Sequence, residues 1–280
     1  MDGKTELAGL VGWPVSHSRS PLMHQYWCKK YNVNAAYVPL AVKPGQVEMA
    51  LRGLAASGFK GVNVTIPHKE AAYTICDELT PTALRAGAAN TLKFVNGRII
   101  GDCTDGTGFC ENVLAHGGSI EGTVIILGAG GAARAIIAAL LDKGCKVLIA
   151  NRSVDRAKAL VKALKGGDVI GWDEWPARLP EANLLINGTS LGMHGAPSLD
   201  WQKAMALAPA HLCVADIVYT PRETPFIKAA QEKGLKTVDG LGMLIYQAIE
   251  GFHLWFGVKP ELDDELIERL NADLNKQSDH

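Results

Sequence analysis

Two residues in the first third of the chain, Lys69 and Asp105, have the side-chain types of a proton-transfer couple. Lys69 follows a short apolar run and a proline turn, and Asp105 ends the segment Gly101-Asp-Cys-Thr-Asp. A lysine in a partly desolvated cleft acts as an acid or base, or stays cationic and polarises an oxygen. A lone lysine after a turn is more often a surface charge. The neighbouring polar segments favour the catalytic interpretation.

Those segments include two serines, Ser18 and Ser20, where a strand gives way to a helix. Hydroxyls and free N–H groups at a helix start can hold a carboxylate, although one serine would suffice for capping alone. Asn90 and Asp105 each follow an apolar stretch. The polar ends of parallel strands share one sheet edge, so we expect both side chains there, with Asp105 orienting Lys69.

A glycine-rich turn connects a β-branched run, 124–127, to an alanine-rich helix, 132–141. Gly128, Gly130 and Ala133 fit the pattern G-x-G-x-x-G/A. A helix that begins at such a turn directs free N–H groups and partial positive charge at a pyrophosphate. The alternative is a plain glycine turn, which the strand–loop–helix–strand order disfavours.

The end of the next strand, 147–150, indicates which dinucleotide binds. A free ribose 2′-hydroxyl usually meets an Asp or Glu about 20 residues past the first glycine. Here the residues are Asn151, Arg152 and Ser153, with Arg156 one helical turn on. Arginine forks match phosphate geometry, so we expect NADP. Alternatively, the two arginines form a solvated helix face on which Asp155 pairs with either.

The elements that must position these residues form an α/β fold with two lobes and a cleft between them. The substrate lobe is expected over 1–106 plus C-terminal helices at about 244–280, and the Rossmann-type NADP-binding lobe over 107–243. The expected strands cover 7–11, 36–40, 61–64, 89–94, 124–127, 147–150, 169–172, 183–187, 212–217 and 236–238, and the expected helices cover 21–30, 44–57, 81–86, 104–116, 132–141, 225–233, 241–256 and 261–274.

Composition excludes several classes of function. The 280 residues carry a net charge of −1, so nothing favours nucleic acid or an anionic membrane. The N-terminus lacks the features of a signal peptide. The six cysteines show no C-x-x-C pair and the eight histidines no ligand spacing. We therefore expect no metal, reduced thiols and a cytoplasmic location. The expected assembly is a monomer or a homodimer, and the sequence does not distinguish the two.

Taken together, the chain closely resembles the shikimate dehydrogenase family, in order over nearly its whole length. The resemblance implies NADP-dependent, reversible reduction of 3-dehydroshikimate to shikimate, a step of aromatic amino-acid (chorismate) biosynthesis. The matching motifs are His17-Ser-Arg-Ser-Pro21, Val64-Thr-Ile-Pro-His-Lys69, Asn90-Thr91, Asp102-Cys-Thr-Asp105, Gly128-Ala-Gly-Gly-Ala-Ala133, Asn151-Arg-Ser153, Asn187-Gly-Thr-Ser190, Asp216-Ile-Val-Tyr219 and Asp239-Gly-Leu-Gly-Met-Leu244 with Gln247.

The resemblance also implies a role for each matching residue. Lys69 and Asp105 would be the catalytic pair, and Ser18 and Ser20 would bind the substrate carboxylate. The remaining substrate contacts would come from Thr65, Asn90, Asp105, Tyr219 and Gln247. The pyrophosphate would lie against Gly128, Ala129, Gly130, Gly131 and Ala132, the 2′-phosphate against Asn151, Arg152, Ser153 and Arg156, and the nicotinamide against Thr189, Ile217, Gly240 and Met243.

One residue departs from the family pattern and leaves substrate preference open. Cys103 stands between the two aspartates, where the family usually has Asn. The nearest alternative is a quinate/shikimate or aminoshikimate dehydrogenase with relaxed substrate or NAD use. A remote alternative is a non-catalytic NADP-binding sensor, which would have no reason to keep a Lys–Asp couple.

Overall fold

The computed structural model of the protein describes residues 1–193, 195–196 and 199–278. The strands are β1 (Glu6–Gly12), β2 (Ala35–Ala41), β3 (Gly61–Val64), β4 (Glu78–Leu79), β5 (Thr91–Val95), β6 (Arg98–Asp102), β7 (Thr123–Leu127), β8 (Lys146–Ala150), β9 (Asp168–Ile170), β10 (Leu184–Asn187), β11 (Cys213–Asp216) and β12 (Lys236–Val238). The α-helices are α1 (Ser20–Lys30), α2 (Val47–Ala56), α3 (Lys69–Ile75), α4 (Pro81–Ala86), α5 (Asp105–Ala115), α6 (Gly131–Asp142), α7 (Val154–Leu164), α8 (Trp201–Ala204), α9 (Pro225–Glu232), α10 (Gly240–Phe256) and α11 (Asp264–Ser278), and Trp175–Glu181 is a 3₁₀ helix.

The chain divides into two compact units. Unit 1 comprises Met1–Thr104 and the segment from Gln247 onward, and unit 2 comprises Asp105–Tyr246. Each unit contains one six-stranded sheet. None of the helices in the described ranges combines the length and apolar composition needed to cross a bilayer.

The sheet of unit 1 has the strand order β2-β1-β3-β5-β6-β4. Strands β1, β2 and β3 are parallel, whereas β5 runs antiparallel to β3 and forms a hairpin with β6. The expectation that Asn90 follows a parallel strand is therefore wrong, because Asn90 precedes β5. Since β5 runs in the opposite direction, its beginning lies at the same sheet edge as the end of β3.

The sheet of unit 2 is parallel throughout, in the order β12-β11-β10-β7-β8-β9. Numbered from β7, this is the 3-2-1-4-5-6 arrangement of dinucleotide-binding sheets, with its switch point between β7 and β10. The expected Rossmann-type fold is confirmed.

Continuous apolar strands allow this sheet to be covered on both faces. Val124 and Ile126 pack into one buried cluster with α6, whereas Ile125 and Leu127 pack into a second cluster that contains Trp175. Successive side chains of a strand point to opposite faces, so a strand buried on both faces needs an unbroken apolar run.

Local chemistry determines where several helices begin. The side chains of Thr80, Ser153 and Thr224 cap α4, α7 and α9 by accepting from backbone N–H groups three residues on. The predicted start of α2 at Pro44 is wrong, because Gly45 adopts a left-handed φ of 84° and the helix begins only at Val47.

Candidate active site

In unit 1, the loops that follow β1 and β3 lie in contact. Thr65 directly follows β3, and its backbone N–H donates to Val11 O over 2.9 Å. A Cβ on Gly12 would lie only 2.4 Å from Thr65 Cγ2, so the close packing of Thr65 depends on a glycine at position 12. The predicted substrate residue Thr65 is thereby held at the carboxyl edge of the sheet.

A chain of buried hydrogen bonds connects three strands of the same sheet. Tyr37 Oη on β2 donates to Asn63 Oδ1 on β3 over 2.8 Å, and Asn63 Nδ2 donates to Thr91 Oγ1 on β5 over 3.1 Å. These three residues are at most 4% exposed. Buried polar groups need partners, and here each one serves as a partner to the next.

Asn90 extends this network toward the end of β6 and helix α10. Its Oδ1 accepts from the Thr104 backbone N–H over 2.8 Å, and its Nδ2 donates to Thr104 Oγ1 over 3.1 Å. Asn90 Nδ2 also lies 3.5 Å from Gln247 Oε1, and Thr104 Oγ1 donates to Gln247 O over 3.1 Å. The structure therefore brings together Asn90 and Gln247, two of the predicted substrate residues.

The two serines lie at the start of α1. Ser20 is the first residue of this helix, is buried, and hydrogen-bonds the Tyr37 hydroxyl, which joins it to the same network. Ser18 lies beside it, and its Oγ accepts from the Ser20 backbone N–H over 3.2 Å. Arg19, between them, is buried and forms an ion pair with Asp273 of α11, with Nε and Oδ2 2.7 Å apart.

Lys69 and Asp105 each begin a helix. Lys69 is the first residue of α3 in unit 1, and its carbonyl oxygen accepts from the Ala89 N–H over 3.0 Å. Asp105 is the first residue of α5 in unit 2 and is only 6% exposed. The sequence pattern does not predict α3, because Lys69 follows a proline turn and only seven residues form this helix.

Hydrogen bonds to Asp102 fix the turn that leads to Asp105. The Asp102 carboxylate accepts from Thr80 Oγ1 over 2.6 Å, from the Thr82 hydroxyl, and from the Cys103 N–H over 2.7 Å. Cys103 is 4% exposed. The departure from the family pattern is therefore buried beside a hydrogen-bonded carboxylate.

In unit 2, the glycine-rich turn has the geometry that the sequence predicts. Gly128 directly follows β7 with φ at 109°, and a Cβ there would lie 2.8 Å from Gly188 O. A Cβ on Gly130 or Gly131 would meet nothing within 4 Å. The turn contains Ala129, and α6 begins directly after it at Gly131, with Ala132 in its first turn. The first N–H groups of this helix have no partner within the helix and are available to an anion.

The end of β8 carries the residues predicted to select the 2′-phosphate. The strand ends at Ala150, and Asn151 follows it, its Nδ2 donating to Ser153 O over 2.7 Å. Ser153 caps α7, while Arg152 and Arg156 are exposed. Across the described part of the chain, Asp155 forms no ion pair with either arginine. The exposure of both arginines is consistent with a 2′-phosphate site and with the solvated-face alternative.

The remaining predicted cofactor residues follow neighbouring strands of the same sheet. Thr189 follows β10 and its Cγ2 lies 3.0 Å from the position of a Cβ on Gly128, and Ile217 follows β11. Gly240 begins α10, and a Cβ on it would lie 2.5 Å from Ile217 O. Met243 is buried in α10, and Tyr219 is partly exposed two residues after Ile217.

A dinucleotide with a 2′-phosphate fits these residues. The open space in front of Gly130 and Gly131 admits close approach of a pyrophosphate. No carboxylate stands at the end of β8, and two exposed guanidinium groups follow it. The described residues contain no group of three or more His, Cys, Asp or Glu side chains placed to hold a metal ion.

Three family models match the chain: the shikimate dehydrogenase substrate binding domain over residues 10–92, shikimate / quinate 5-dehydrogenase over 115–243, and the shikimate 5′-dehydrogenase C-terminal domain over 240–264. The protein belongs to the shikimate dehydrogenase family. The predicted family is thus confirmed, and the first two models match one region in each unit.

Individual relatives are similar over nearly the full length. Shikimate dehydrogenase (NADP(+)) of Gluconobacter oxydans is 62% identical over 274 residues, which cover 98% of both chains. The protein of the same name from Rhodospirillum rubrum is 50% identical over 94% of this chain and 96% of its own. The crystal structure of shikimate 5-dehydrogenase from Thermus thermophilus, in complex with NADP(H) and shikimate, is 33% identical with a TM-score of 0.86, covering 96% of this chain and all of that one.

Sequence reasoning missed the residues that hold the site residues in place. Tyr37 lies within a strand and looks like a core aromatic, so no local signal identifies it. Thr91 and Thr104 stand inside quoted motifs and Asn63 directly precedes one, but only the folded structure shows that Thr91 binds both of the others. A polar residue at an inward-facing position of a buried strand, such as Asn63, is the one signal that could have revealed the network.

Proposed function

We propose that this protein catalyses the reversible, NADP-dependent reduction of 3-dehydroshikimate to shikimate. The observation that carries the proposal is 62% identity over 98% of both chains to a protein named for this activity. The site supports it, since unit 1 holds polar side chains on one buried network and unit 2 has a dinucleotide-binding sheet. Unit 1 binds the substrate and unit 2 binds NADP.

In the substrate site, each polar group of the hydroxylated acid has a matching residue. Ser18 and Ser20 bind the carboxylate at the start of α1, where free N–H groups also favour an anion. The ring hydroxyls and the carboxylate end are held by Thr65, Asn90, Asp105, Tyr219 and Gln247. The hydrogen bonds from Asn90 to Thr104 and Gln247 hold the side chains of Asn90 and Gln247 in place before the substrate binds.

Lys69 moves the proton, and Asp105 orients it. In the oxidative direction the Lys69 amine accepts the proton of the substrate's secondary hydroxyl, and in reduction the ammonium returns it and stabilises the charge on that oxygen. When bound, NADP supplies the hydride acceptor or donor. Two hydrogen bonds support the pairing: Lys69 O accepts from the N–H of Ala89, beside Asn90, and the side-chain Oδ1 of Asn90 accepts from the N–H of Thr104, beside Asp105.

In the NADP site, the glycine turn from Gly128 to Ala132 binds the pyrophosphate. Asn151, Arg152, Ser153 and Arg156 bind the 2′-phosphate, and Thr189, Ile217, Gly240 and Met243 line the nicotinamide. A cytoplasmic location is part of the proposal, because all six cysteines are free thiols, as in a reducing compartment.

The family description also covers quinate, and buried Cys103 keeps that substrate open as a second candidate. An absorbance assay at the reduced-nicotinamide band, crossing shikimate or quinate with NADP or NAD, separates the possibilities. We expect the highest kcat/KM with shikimate and NADP. A higher kcat/KM with quinate or with NAD would refute the proposed specificity.

Lys69→Ala tests the chemistry. We expect kcat to fall roughly 100-fold, the usual scale of acid–base catalysis, with a much smaller change in KM. Lys29→Ala, which removes an exposed lysine of α1, is the matched control and should turn over like the parent. Equal turnover by Lys69→Ala and the parent would exclude Lys69 as the proton carrier.

A further inference from the structure

Asp216 is a buried carboxylate at the end of β11 that the mechanism above does not use. It is 1% exposed. Its Oδ1 accepts from Asn187 Nδ2 over 3.0 Å and from the Val218 N–H over 2.9 Å, and its Oδ2 accepts from Thr224 Oγ1 over 2.6 Å. Both oxygens of this carboxylate therefore accept from protein groups, namely the last residue of β10 and two residues that follow β11.

The partners of Asp216 hold a second loop. Asn187 Nδ2 also donates to Leu191 O over 2.9 Å, while Asn187 Oδ1 accepts from Thr189 Oγ1 over 2.6 Å and from the Thr189 N–H over 3.1 Å. Loop 188–192 after β10 and loop 217–224 after β11 are thus joined through one Asn–Asp pair. The loop after β11 has a second anchor, because Arg222 Nε donates to Asp239 Oδ2 over 2.8 Å.

The joined loops pack against the other cofactor residues of unit 2. Gly128 approaches the loop after β10 at Gly188, and Gly240 approaches the loop after β11 at Ile217. A small displacement of either loop would therefore move Thr189 and Ile217, the residues assigned to the nicotinamide.

Burying a carboxylate in the core disfavours its charged form, so a carboxylate at this position needs a reason that an apolar residue could not supply. Burial raises the pKa of Asp216 to about 6, the nearby charge of Asp239 acts in the same direction, and the three hydrogen bonds oppose both. An apolar residue would fill the same place without that cost but could not bind both loops.

We propose that Asp216 is a positioning residue that fixes loops 188–192 and 217–224 so that they bind the nicotinamide half of NADP. It acts through Asn187, Thr224 and the Val218 N–H and does not itself touch substrate or cofactor. The inference rests on the proposed function, because the identity of the nicotinamide residues comes from it.

The test compares NADP with 2′,5′-ADP, which carries the adenosine half alone. For Asp216→Ala we expect the Kd of NADP to rise about tenfold, the scale of losing buried charge-assisted hydrogen bonds. The Kd of 2′,5′-ADP should change less than about twofold, since the end of β8 is untouched, and kcat should fall while the KM for shikimate stays near the parent value. Calorimetry on the intact chain measures both ligands.

Two further variants keep the test decisive. Asp216→Asn has the same shape and retains an acceptor for Asn187 and Val218, so it should recover most of the NADP affinity. Asp200→Ala makes the same chemical change at the exposed cap of α8 and should bind both ligands like the parent. Parent-like NADP binding by Asp216→Ala, or equal weakening of both ligands, would overturn the proposal.

Failure of the proposed function gives a different result. A parent protein that binds NADP but oxidises neither shikimate nor quinate would refute that function, and the comparison of the two ligands would still test Asp216. A parent that binds neither ligand would overturn both proposals.

Discussion

Replacement of His24 by phenylalanine is expected to make the protein more resistant to mild acid. His24 lies on α1 with no exposed surface, and its ring stacks on Tyr37 with centroids 3.9 Å apart. Trp27, Phe252 and Trp255 surround it, and none of them carries a charge. Within the described part of the chain, neither ring nitrogen has a hydrogen-bond partner.

Burial lowers the pKa of His24 to about 3, from an ordinary value of 6.5. The unfolded chain therefore binds a proton at His24 below pH 6.5, whereas the folded protein does not until pH approaches 3. Stability is lost as the pH falls through this window. Between pH 7.5 and pH 5.0 the loss is about 2 kcal/mol, by proton linkage from these two values.

The change to phenylalanine removes this linkage and keeps a flat ring against Tyr37. At pH 7.5 we expect a gain of about 1 kcal/mol, because two unpaired buried nitrogens disappear. Urea unfolding at pH 7.5 and 5.0, followed by tryptophan fluorescence and circular dichroism, gives the free energy of unfolding. The quantity to compare is its change between the two pH values in the variant and in the parent.

His253→Gln is the control, since this exposed histidine belongs to the same unit. It should keep the pH dependence of the parent, whereas His24→Phe should show a smaller loss on acidification by about 2 kcal/mol. A pH dependence identical in the parent and His24→Phe would show that His24 protonates normally in the folded state, and would refute the reasoning.

Three further outcomes follow from glycine and arginine positions. Gly53→Ala should raise the free energy of unfolding by about 0.5–1 kcal/mol in urea titrations, because Gly53 is exposed within α2 and a Cβ there meets nothing within 4 Å; a loss of stability would contradict this. Gly128→Ala should weaken NADP binding and lower the midpoint of thermal unfolding, because an alanine at this positive φ is strained by about 1–3 kcal/mol and its Cβ would crowd Gly188. The control is Gly144→Ala, which is also at positive φ but has no close neighbour, and it should leave the NADP affinity unchanged. Arg152→Ala should lower kcat/KM with NADP by about 10- to 100-fold and leave NAD unaffected, and equal losses with both cofactors would exclude a 2′-phosphate contact.

The sequence by itself determined the features whose cause is local. Glycines at 128, 130 and 131 predict the turn because backbone conformation and close approach depend on the residue in place. The sequence also shows that Asn151, Arg152 and Ser153, and no carboxylate, directly follow β8, which predicts NADP rather than NAD. The caps at Thr80 and Thr224 mark helix starts because each acts within three residues.

Only the tertiary structure decided which distant polar residues meet. The reversed direction of β5 brings Asn90 to the end of β3, although no residue near Asn90 encodes the direction of a strand. The bond from Tyr37 to Asn63 and the bond from Asn187 to Asp216 join residues that are 26 and 29 positions apart in the chain. Such contacts depend on strand order and register, which arise from packing of the whole sheet. The pattern along the chain can therefore mark a buried polar residue such as Asn63 but does not identify its partner.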